Sequence, residues 1–295
     1  LVVEHDMDTI QASDYVIDMG PGAGLQGGEV VAVGTPTEVA ANPQSVTGRY
    51  LAGVETIPLP AKRRTWTKSI SITDVVTNNL KEVSCTIPLE LLVGVSGVSG
   101  SGKSSLIMQT LAPALLEYFR SGYYRSQTFG EIEGLESISN CVLVDQSPIG
   151  RTPRSNPATY LGIFNDIRNL FAATTESKAR GYTAGQFSFN VPQGRCAHCS
   201  GEGSLTIQMH FLEDVEVECK MCRGLRYSDQ TLQITFNGKN IAQVLAMAAT
   251  EAVGFFSDFP AISKRLRLMC DVGLGYLTLG QASTTLSGGE AQRIK

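Results

Sequence analysis

The sequence predicts an α/β fold in which a strand, a glycine-rich loop and a helix precede a mostly helical insertion with paired cysteines. Two observations predict it. The apolar run LELLVGVSG leads through GSGKSS into an apolar, helix-like stretch, and the pairs CAHC and CKMC lie 19 residues apart. With 295 residues, 42% of them hydrophobic and 18% charged, the chain can bury the cores of roughly two domains.

The composition excludes several classes of protein. The formal net charge is −4, so DNA binding would need a local basic patch rather than attraction of the whole chain. No apolar run approaches the roughly 18 residues of a membrane-spanning helix. Seven cysteines, four of them in two pairs, favour a metal site in a reducing compartment over disulfides. The expected location is the cytoplasm, although the chain starts at Leu1 rather than Met.

The first 75 residues or so are predicted to contain four strands, a short helix and a linker. LVVEHD is expected to be a buried strand, and YVIDMGPG and GGEVVAVG two more, separated by glycine turns. TPTEVAANP predicts a helix capped by Thr35 and stopped by Pro43. Residues 46–68 are Pro-rich and basic, which is typical of a linker. SISITDVV then predicts a strand, and so does CVLVDQ at 141–146.

The stretch GVSGSGKSS, residues 97–105, fits G-x4-G-K-S between an apolar strand and a helix. Glycines let backbone N–H groups surround phosphate oxygens, and the helix N-terminus adds partial positive charge. Lys103 would reach the β- and γ-phosphates, and Ser104 would bind Mg²⁺. The alternative, a glycine-rich turn with an exposed lysine, is disfavoured by the agreement of strand, loop and helix. The expected nucleotide-binding residues are Gly97, Gly100, Gly102, Lys103, Ser104 and Ser105.

The two C-x2-C pairs have the spacing of a zinc site. Four thiolates at about 2.3 Å would complete a tetrahedral site with no open position, so the zinc would be structural. The expected ligands are Cys196, Cys199, Cys219 and Cys222. An iron–sulfur cluster or redox-active thiols are the alternatives. With four thiolates present, His198 and His210 are expected to be ordinary polar residues, and Cys85, Cys141 and Cys270 to lie in the core.

The chain ends in TTLSGGEAQRIK, where Ser287, Gly288 and Gly289 begin a predicted helix and could accept a phosphate. LSGG resembles the signature of ABC-type ATPases. In those proteins the signature is presented across an interface to the ATP held by another domain's phosphate loop. The resemblance implies that Ser287 to Glu290 bind the γ-phosphate of a second ATP.

The order of all these motifs resembles the UvrA family, the ATPase subunits of the bacterial excinuclease, over the whole chain. VEHDMDTIQASDYVIDMGPGAG is similar to the end of that family's first ATPase domain, GVSGSGKSSLI to its second phosphate loop, and DQSPIGRTPRSNPATY to the segment after it. GRCAHCSGEG through CKMCRGLRY resembles its four-cysteine module, and DVGLGYLTLGQASTTLSGGEAQRIK its second signature. Ordinary ABC transporters lack the four-cysteine insertion. Two small departures, at Gly94 and Gln193, affect no expected ligand.

The resemblance implies a truncated ABC-type P-loop ATPase with an inserted signature domain. Residues 1–45 would end the first ATPase domain, 46–68 would be the linker, and 69–146 would begin the second ATPase domain. Residues 147–272 would be the inserted signature and DNA-binding region, with the zinc module at 196–222. Residues 273–295 would be the signature segment. The strand with the Mg²⁺-binding aspartate and the catalytic glutamate is expected beyond Lys295.

The resemblance also implies catalytic roles. His5 is similar to the switch histidine of the first nucleotide site, which senses the γ-phosphate. Lys103, Ser104 and Gln146 would belong to the second site, where Gln146 contacts Mg²⁺ or the attacking water. On the residues alone, Gln146 is an ordinary polar strand end. The signature would close on the first site. With parts of two sites and the whole of neither, the isolated chain is expected to bind ATP weakly and not to hydrolyse it.

Region 147–226 contains nine basic and seven acidic residues, a local charge of +2. On the residues alone, a solvated face of mixed charge explains this balance better than a DNA-binding surface does. The resemblance implies backbone contacts to double-stranded, damaged DNA, with lesions detected through altered DNA shape. The candidate DNA-binding residues are Arg151, Arg154, Arg223 and Arg226.

The implied function is recognition of DNA damage in nucleotide excision repair by an ATP-hydrolysing homodimer that uses Mg²⁺ and Zn²⁺. It would load a UvrB-type helicase through regions outside this chain. One alternative is a UvrA-like ATPase for self-resistance to DNA-binding drugs. Others are a non-catalytic, zinc-bearing DNA-binding or chaperone-like module, and a transporter ATPase.

Overall fold

The computed structural model describes residues 1–145, 147–150, 152–207 and 215–295, apart from the side chain of Leu25. The chain divides into two compact units. One consists of Leu1–Thr56 together with Asp145–Lys295, and the other of Ile57–Val144. Both combine helices with strands, so the expected mixed α/β class is confirmed.

The unit Ile57–Val144 is built on a three-stranded antiparallel sheet in the order β4-β3-β5. Its strands and helices are β3 Ser69–Val75, β4 Val83–Pro88, α4 Lys103–Leu106, α5 Ala112–Ser121 and β5 Ile132–Glu133. The run SISITDVV forms β3 as predicted, and Ile70 and Ile72 alternate onto its buried face. These side chains join Leu111 and Leu115 in one hydrophobic cluster, which anchors the helices that follow the glycine-rich loop.

Two predicted strands of this unit are not formed. The run before the loop has no regular structure over residues 92–97, and Leu92 is 95% exposed. Residues 141–145 have none either, and Val142 is 72% exposed. An apolar run becomes a strand only where a neighbour accepts and donates its ladder hydrogen bonds. Within the described residues no strand pairs with either run, so their apolar character alone did not suffice.

The N-terminal part of the other unit is a hairpin with short helices. Its elements are α1 Met7–Gln11, β1 Val16–Gly20, β2 Glu29–Gly34, α2 Pro36–Ala40 and α3 Val46–Leu51. The two strands and the Thr35 cap are confirmed. Thr35 Oγ1 accepts a hydrogen bond from the Glu38 amide, and the Glu38 carboxylate accepts one from the Thr35 amide.

Two predictions for this part were wrong. LVVEHD is an exposed segment rather than a buried strand, because no strand in the described part of the chain pairs with residues 1–6. The predicted linker begins too early, since α3 occupies 46–51. Ser45 caps that helix by accepting a hydrogen bond from the Gly48 amide, and its hydroxyl donates to Asp18 at 2.6 Å. The Ser45 cap and its hydrogen bond to Asp18 therefore stabilise a helix where the composition predicted a linker.

The C-terminal part of this unit is mostly helical. Its elements are α6 Pro157–Tyr160, α7 Ile163–Ala173, α8 Thr175–Ala179, β6 Ser204–Ile207, β7 Val215–Glu218, α9 Asp229–Leu232, β8 Thr235–Phe236, β9 Lys239–Asn240, α10 Ile241–Ala246, α11 Ala249–Phe255, α12 Pro260–Asp271 and α13 Gly288–Ile294. Helix α7 buries Ile163, Ile167 and Phe171 at helical spacing. They pack with α10 to α12 in one hydrophobic cluster, which also includes Ile294 of α13, while the four paired cysteines form a separate, smaller cluster.

Candidate nucleotide and metal sites

The glycine-rich loop runs directly into α4. Gly97, Gly100 and Gly102 all have positive φ angles, and Gly102 (φ 100°) is the N-cap of the helix. A Cβ atom on Gly102 would lie 2.7 Å from Leu80 Cδ2, so both its conformation and its surroundings require glycine. The motif glycines therefore have the backbone geometry that a wrapped loop needs.

The Lys103 side chain folds back onto the glycine-rich loop. Its ammonium donates to the Gly97 and Val98 carbonyls, each at 2.8 Å. A cavity of about 200 Å³ lies beside it, lined by Asn79, Gly100, Gly102, Lys103, Ser104 and Ser105. Phosphate oxygens in this cavity would compete with the loop carbonyls for the same ammonium hydrogens, which is the chemistry expected of a phosphate-binding loop.

The four paired cysteines form one buried cluster. Their Sγ atoms all lie within 4.8 Å of one another, and all four residues are buried. The Cys196–Cys219 and Cys199–Cys222 sulfur pairs are 4.0 and 3.6 Å apart, too far for disulfides. A tetrahedral ion with metal–sulfur bonds of about 2.3 Å has sulfur–sulfur edges of about 3.8 Å. The cluster therefore fits a zinc-sized cation.

Backbone and histidine groups surround these sulfurs. The Gly203 amide donates to Cys199 Sγ at 3.3 Å. A hydrogen bond from the Cys222 amide, together with one from the His198 ring, lowers the pKa of Cys219 to about 6, although burial opposes this. Burial raises the pKa of Cys199 and of Cys222. His198 Nδ1 is 3.5 Å from Cys219 Sγ, so His198 is a hydrogen-bonding neighbour of the cluster.

The other cysteines and histidines are placed differently. Cys85, Cys141 and Cys270 are free and only half-buried at the edges of the two hydrophobic clusters, so the prediction that they are core residues holds in part. His5 is exposed in the segment before α1. Three residues with expected roles lie outside the described part of the chain: Gln146, Arg151 and His210.

The signature stretch begins α13 with a capping box. The Ser287 amide donates to Glu290 Oε2 at 2.7 Å, and the Glu290 amide donates to Ser287 Oγ at 3.3 Å. Tyr276 Oη donates to the other carboxylate oxygen at 2.5 Å. Ser287, Gly288 and Gly289 are exposed. Sequence reasoning missed Tyr276, because an isolated tyrosine 14 residues before Glu290 carries no local signal.

The Glu290 carboxylate makes the stability of this segment depend on pH. Burial raises its pKa, but the hydrogen bonds from Tyr276 and Ser287 outweigh burial and hold it below the usual 4.5. A carboxylate with a lowered folded pKa stabilises the fold above 4.5, and this contribution is lost as the pH falls through the folded pKa. We expect acid to lower the melting temperature less in Glu290→Gln than in the wild type.

Thermal unfolding between about pH 3 and 7 measures this difference. Glu29→Gln, at an exposed position of β2, is the control. If the melting temperatures of the wild type and Glu290→Gln changed with pH in parallel, the stabilising role assigned to the Glu290 carboxylate would be wrong.

The candidate DNA-binding arginines differ in their surroundings. Arg154 pairs with Glu202 at 3.2 Å, and its buried Nε has no hydrogen-bond partner among the residues that the structure describes. Arg226 Nη2 donates to the Gly280 carbonyl at 3.2 Å, and its guanidinium lies 5.3 Å from the centre of the Phe189 ring. Arg223 is exposed. Arg226 therefore has an internal structural partner, whereas the exposed Arg223 side chain forms no hydrogen bond or ion pair with the described residues.

This difference predicts opposite effects of two substitutions. Arg223→Ala should weaken duplex binding and lower its salt slope by about one, with little change in stability. Arg226→Ala should destabilise the fold by about 1–3 kcal/mol, because the Gly280 carbonyl loses its donor. Salt-dependent fluorescence anisotropy and thermal unfolding test both. Arg267→Ala, which removes an exposed charge on α12, is the control. A stable Arg226→Ala protein with weakened DNA binding would reverse the assignment.

No helix in the described part of the chain combines the length and the apolar character needed to cross a membrane.

The fold and these sites define a class: a mixed α/β protein that combines a loop of the phosphate-binding type with a buried four-thiol centre able to hold a metal ion. The relatives identify it further. Over its whole length the chain is 53% identical to UvrABC system protein A of Staphylococcus epidermidis and 54% identical to that of Listeria innocua. The protein of that name from Bacillus subtilis is 52% identical. The chain belongs to the UvrA family.

The chain spans 31% of the length of these relatives. The crystal structure of UvrA2 from Deinococcus radiodurans matches with a TM-score of 0.90 and 47% identity, over 99% of this chain and 35% of that one. No family model matches the chain.

Proposed function

We propose that this chain is part of an ABC-type ATPase that recognises DNA damage in nucleotide excision repair. The observation that carries the proposal is the combination, within one UvrA-family chain, of the glycine-rich loop, the four-thiol cluster and the signature helix. The whole protein would bind and hydrolyse ATP with Mg²⁺, bind double-stranded damaged DNA and deliver it to a UvrB-type helicase. It would act in the cytoplasm as a homodimer.

Each segment of the chain has a proposed place in this ATPase. Residues 1–45 end the first ATPase domain, 69–146 begin the second, and 147–272 form the inserted DNA-binding region. Lys103, Ser104 and Gln146 act at one nucleotide, while His5 and the signature, residues 287–290, act at the other. Zn²⁺ on the four cysteines stabilises the inserted region and takes no part in hydrolysis, because four thiolates leave it no open position.

Gly289 supports the proposed role of the signature. Gly289 is the second residue of α13, where alanine has the higher helix propensity. A Cβ on Gly289 would meet nothing within 4 Å, and its φ is not positive. Neither packing within the described chain nor backbone conformation requires glycine here. The close approach of another ATPase domain and its nucleotide, which would leave no room for a side chain, would explain the glycine at position 289.

The test uses the full-length protein, loaded with zinc. We expect ATP-dependent discrimination between damaged and undamaged duplexes, and transfer of damaged DNA to UvrB. Ser287→Arg should abolish ATP-dependent closure, measured by small-angle scattering, because its side chain would occupy the phosphate position. Gln292→Arg, which adds the same charge on the exposed side of α13, is the control.

A wild-type protein that binds both duplexes equally with and without ATP would refute the proposal. DNA binding with no interaction with UvrB would instead support the self-resistance alternative.

A further inference from the structure

The turn that joins β3 to β4 lies against the glycine-rich loop. Asn79, in this turn, donates through Nδ2 to the Gly100 carbonyl at 2.9 Å. A peptide unit is planar, so fixing the Gly100 carbonyl also fixes the direction of the Ser101 amide. The loop binds phosphate through the directions of its amides. Asn79 therefore controls one of the groups on which the loop depends.

Leu80 provides a second contact between turn and loop. A Cβ on Gly102 would lie 2.7 Å from Leu80 Cδ2 and 3.3 Å from Asn79 Oδ1. Leu80 also packs against the hydrophobic cluster of this unit. The last glycine of the loop thus rests on a side chain that the core holds in place.

Asn78 and Thr77 connect the same turn to the helix after the loop. Asn78 Nδ2 donates to Ser105 Oγ at 3.0 Å, and Thr110 Oγ1 donates to Thr77 Oγ1 at 2.7 Å. The loop and the first turns of its helix are therefore fixed by one four-residue segment. Among the described residues, Asn79 is also the one that lines the 200 Å³ cavity from outside the loop and α4.

We propose that the turn Thr77–Leu80 is part of the nucleotide site, with Asn79 as the positioning residue that sets the shape of the phosphate-binding loop. This inference rests on the proposed function. It adds a specific requirement to it, namely a neutral hydrogen-bond donor at position 79, beside the bound phosphates.

The alternative is that the turn merely braces β3 and β4. Two substitutions separate the possibilities. Asn79→Ala removes the donor and adds no charge to the cavity. Asn79→Asp has nearly the same shape, cannot donate to Gly100 when ionised, and places a negative charge at the cavity. If the turn only supported β3 and β4, both substitutions would change the melting temperature and would affect nucleotide binding only through that loss of stability. A nucleotide site would also respond to the charge, and more strongly for a triphosphate than for a diphosphate.

The experiment measures the Kd of the full-length protein for Mg-ATP and Mg-ADP, and its melting temperature without nucleotide. We expect Asn79→Ala to raise the Kd for Mg-ATP by about 5- to 10-fold. We expect Asn79→Asp to raise it by more than about 30-fold, with a smaller change for Mg-ADP. Asn140→Asp adds the same charge at an exposed position of the same unit and should leave both constants unchanged.

The outcomes are distinct. If the wild type does not bind Mg-ATP, the proposed function fails. If the wild type binds but both Asn79 variants bind equally well, the nucleotide site stands and this inference is wrong. Equal weakening by Ala and Asp, in proportion to a lowered melting temperature, would identify the turn as a brace and also overturn it.

Discussion

In the full-length protein, replacing Lys103 with alanine is expected to lower ATP hydrolysis at the nucleotide site of this loop by about 100-fold or more. Removing one charge-stabilising donor from a catalytic site commonly costs 10²- to 10³-fold, on the order of 3–4 kcal/mol. Lys103 is the cation at this loop, and its ammonium already lies on the Gly97 and Val98 carbonyls beside the cavity. Without it, the charge that develops on the transferred phosphoryl group loses its nearest protein counterion.

Two further variants sharpen this test. Lys103→Arg keeps the charge but exchanges a compact ammonium for a planar group that does not fit the loop, so we expect most of the loss to remain. Lys81→Ala removes an exposed lysine of the same unit and should hydrolyse ATP like the wild type. Steady-state phosphate release at saturating Mg-ATP is the measurement. A Lys103→Ala protein with wild-type turnover would remove this loop from the mechanism.

Replacing Cys219 with serine should release the metal and unfold the segment around the four cysteines. Cys219 is fully buried, and serine has nearly its shape, so packing changes little while one thiolate is lost. Structural zinc contributes about 10–16 kcal/mol of apparent folding free energy in small modules. The cluster packs chiefly on itself, with Leu205 as its partly buried apolar neighbour. Little else would hold the segment once the ion has left.

Metal analysis by mass spectrometry should find about one zinc per wild-type chain and far less in Cys219→Ser. Limited proteolysis should then cut between 196 and 222. Cys270→Ser, at the edge of the larger hydrophobic cluster, should keep its zinc and resist cleavage. A chelator applied to the wild type should reproduce the Cys219→Ser cleavage pattern. Full zinc retention in Cys219→Ser would show that this residue is not a ligand.

Several features could be predicted because they depend on residues close together in the chain. Thr35 and Glu38, three residues apart, formed their capping box as expected. Cys196 with Cys199, and Cys219 with Cys222, were paired by spacing alone, and the structure brings the two pairs together. The alternation in SISITDVV identified β3. In each case the backbone geometry of one turn or one strand is enough to predict the feature from the sequence.

Other features could not be predicted because they depend on a partner elsewhere in the fold. Leu92 and Val142 lie in apolar runs as convincing as β3, yet both runs lack a strand to pair with among the described residues. Nothing in the sequence near Arg226 marks the Gly280 carbonyl, 54 residues further on, as an acceptor for its guanidinium. Nothing local marks Asn79 as the partner of Gly100.

The order of residues alone established the family, the glycine-rich loop and the four cysteines, because ligand spacing and glycine conformation are properties of short segments. Folding in three dimensions settled which apolar runs became strands, which arginine turned inward, and which turn supports the loop. Those outcomes depend on hydrogen bonds and packing between residues tens of positions apart, and such contacts leave no pattern in the intervening sequence.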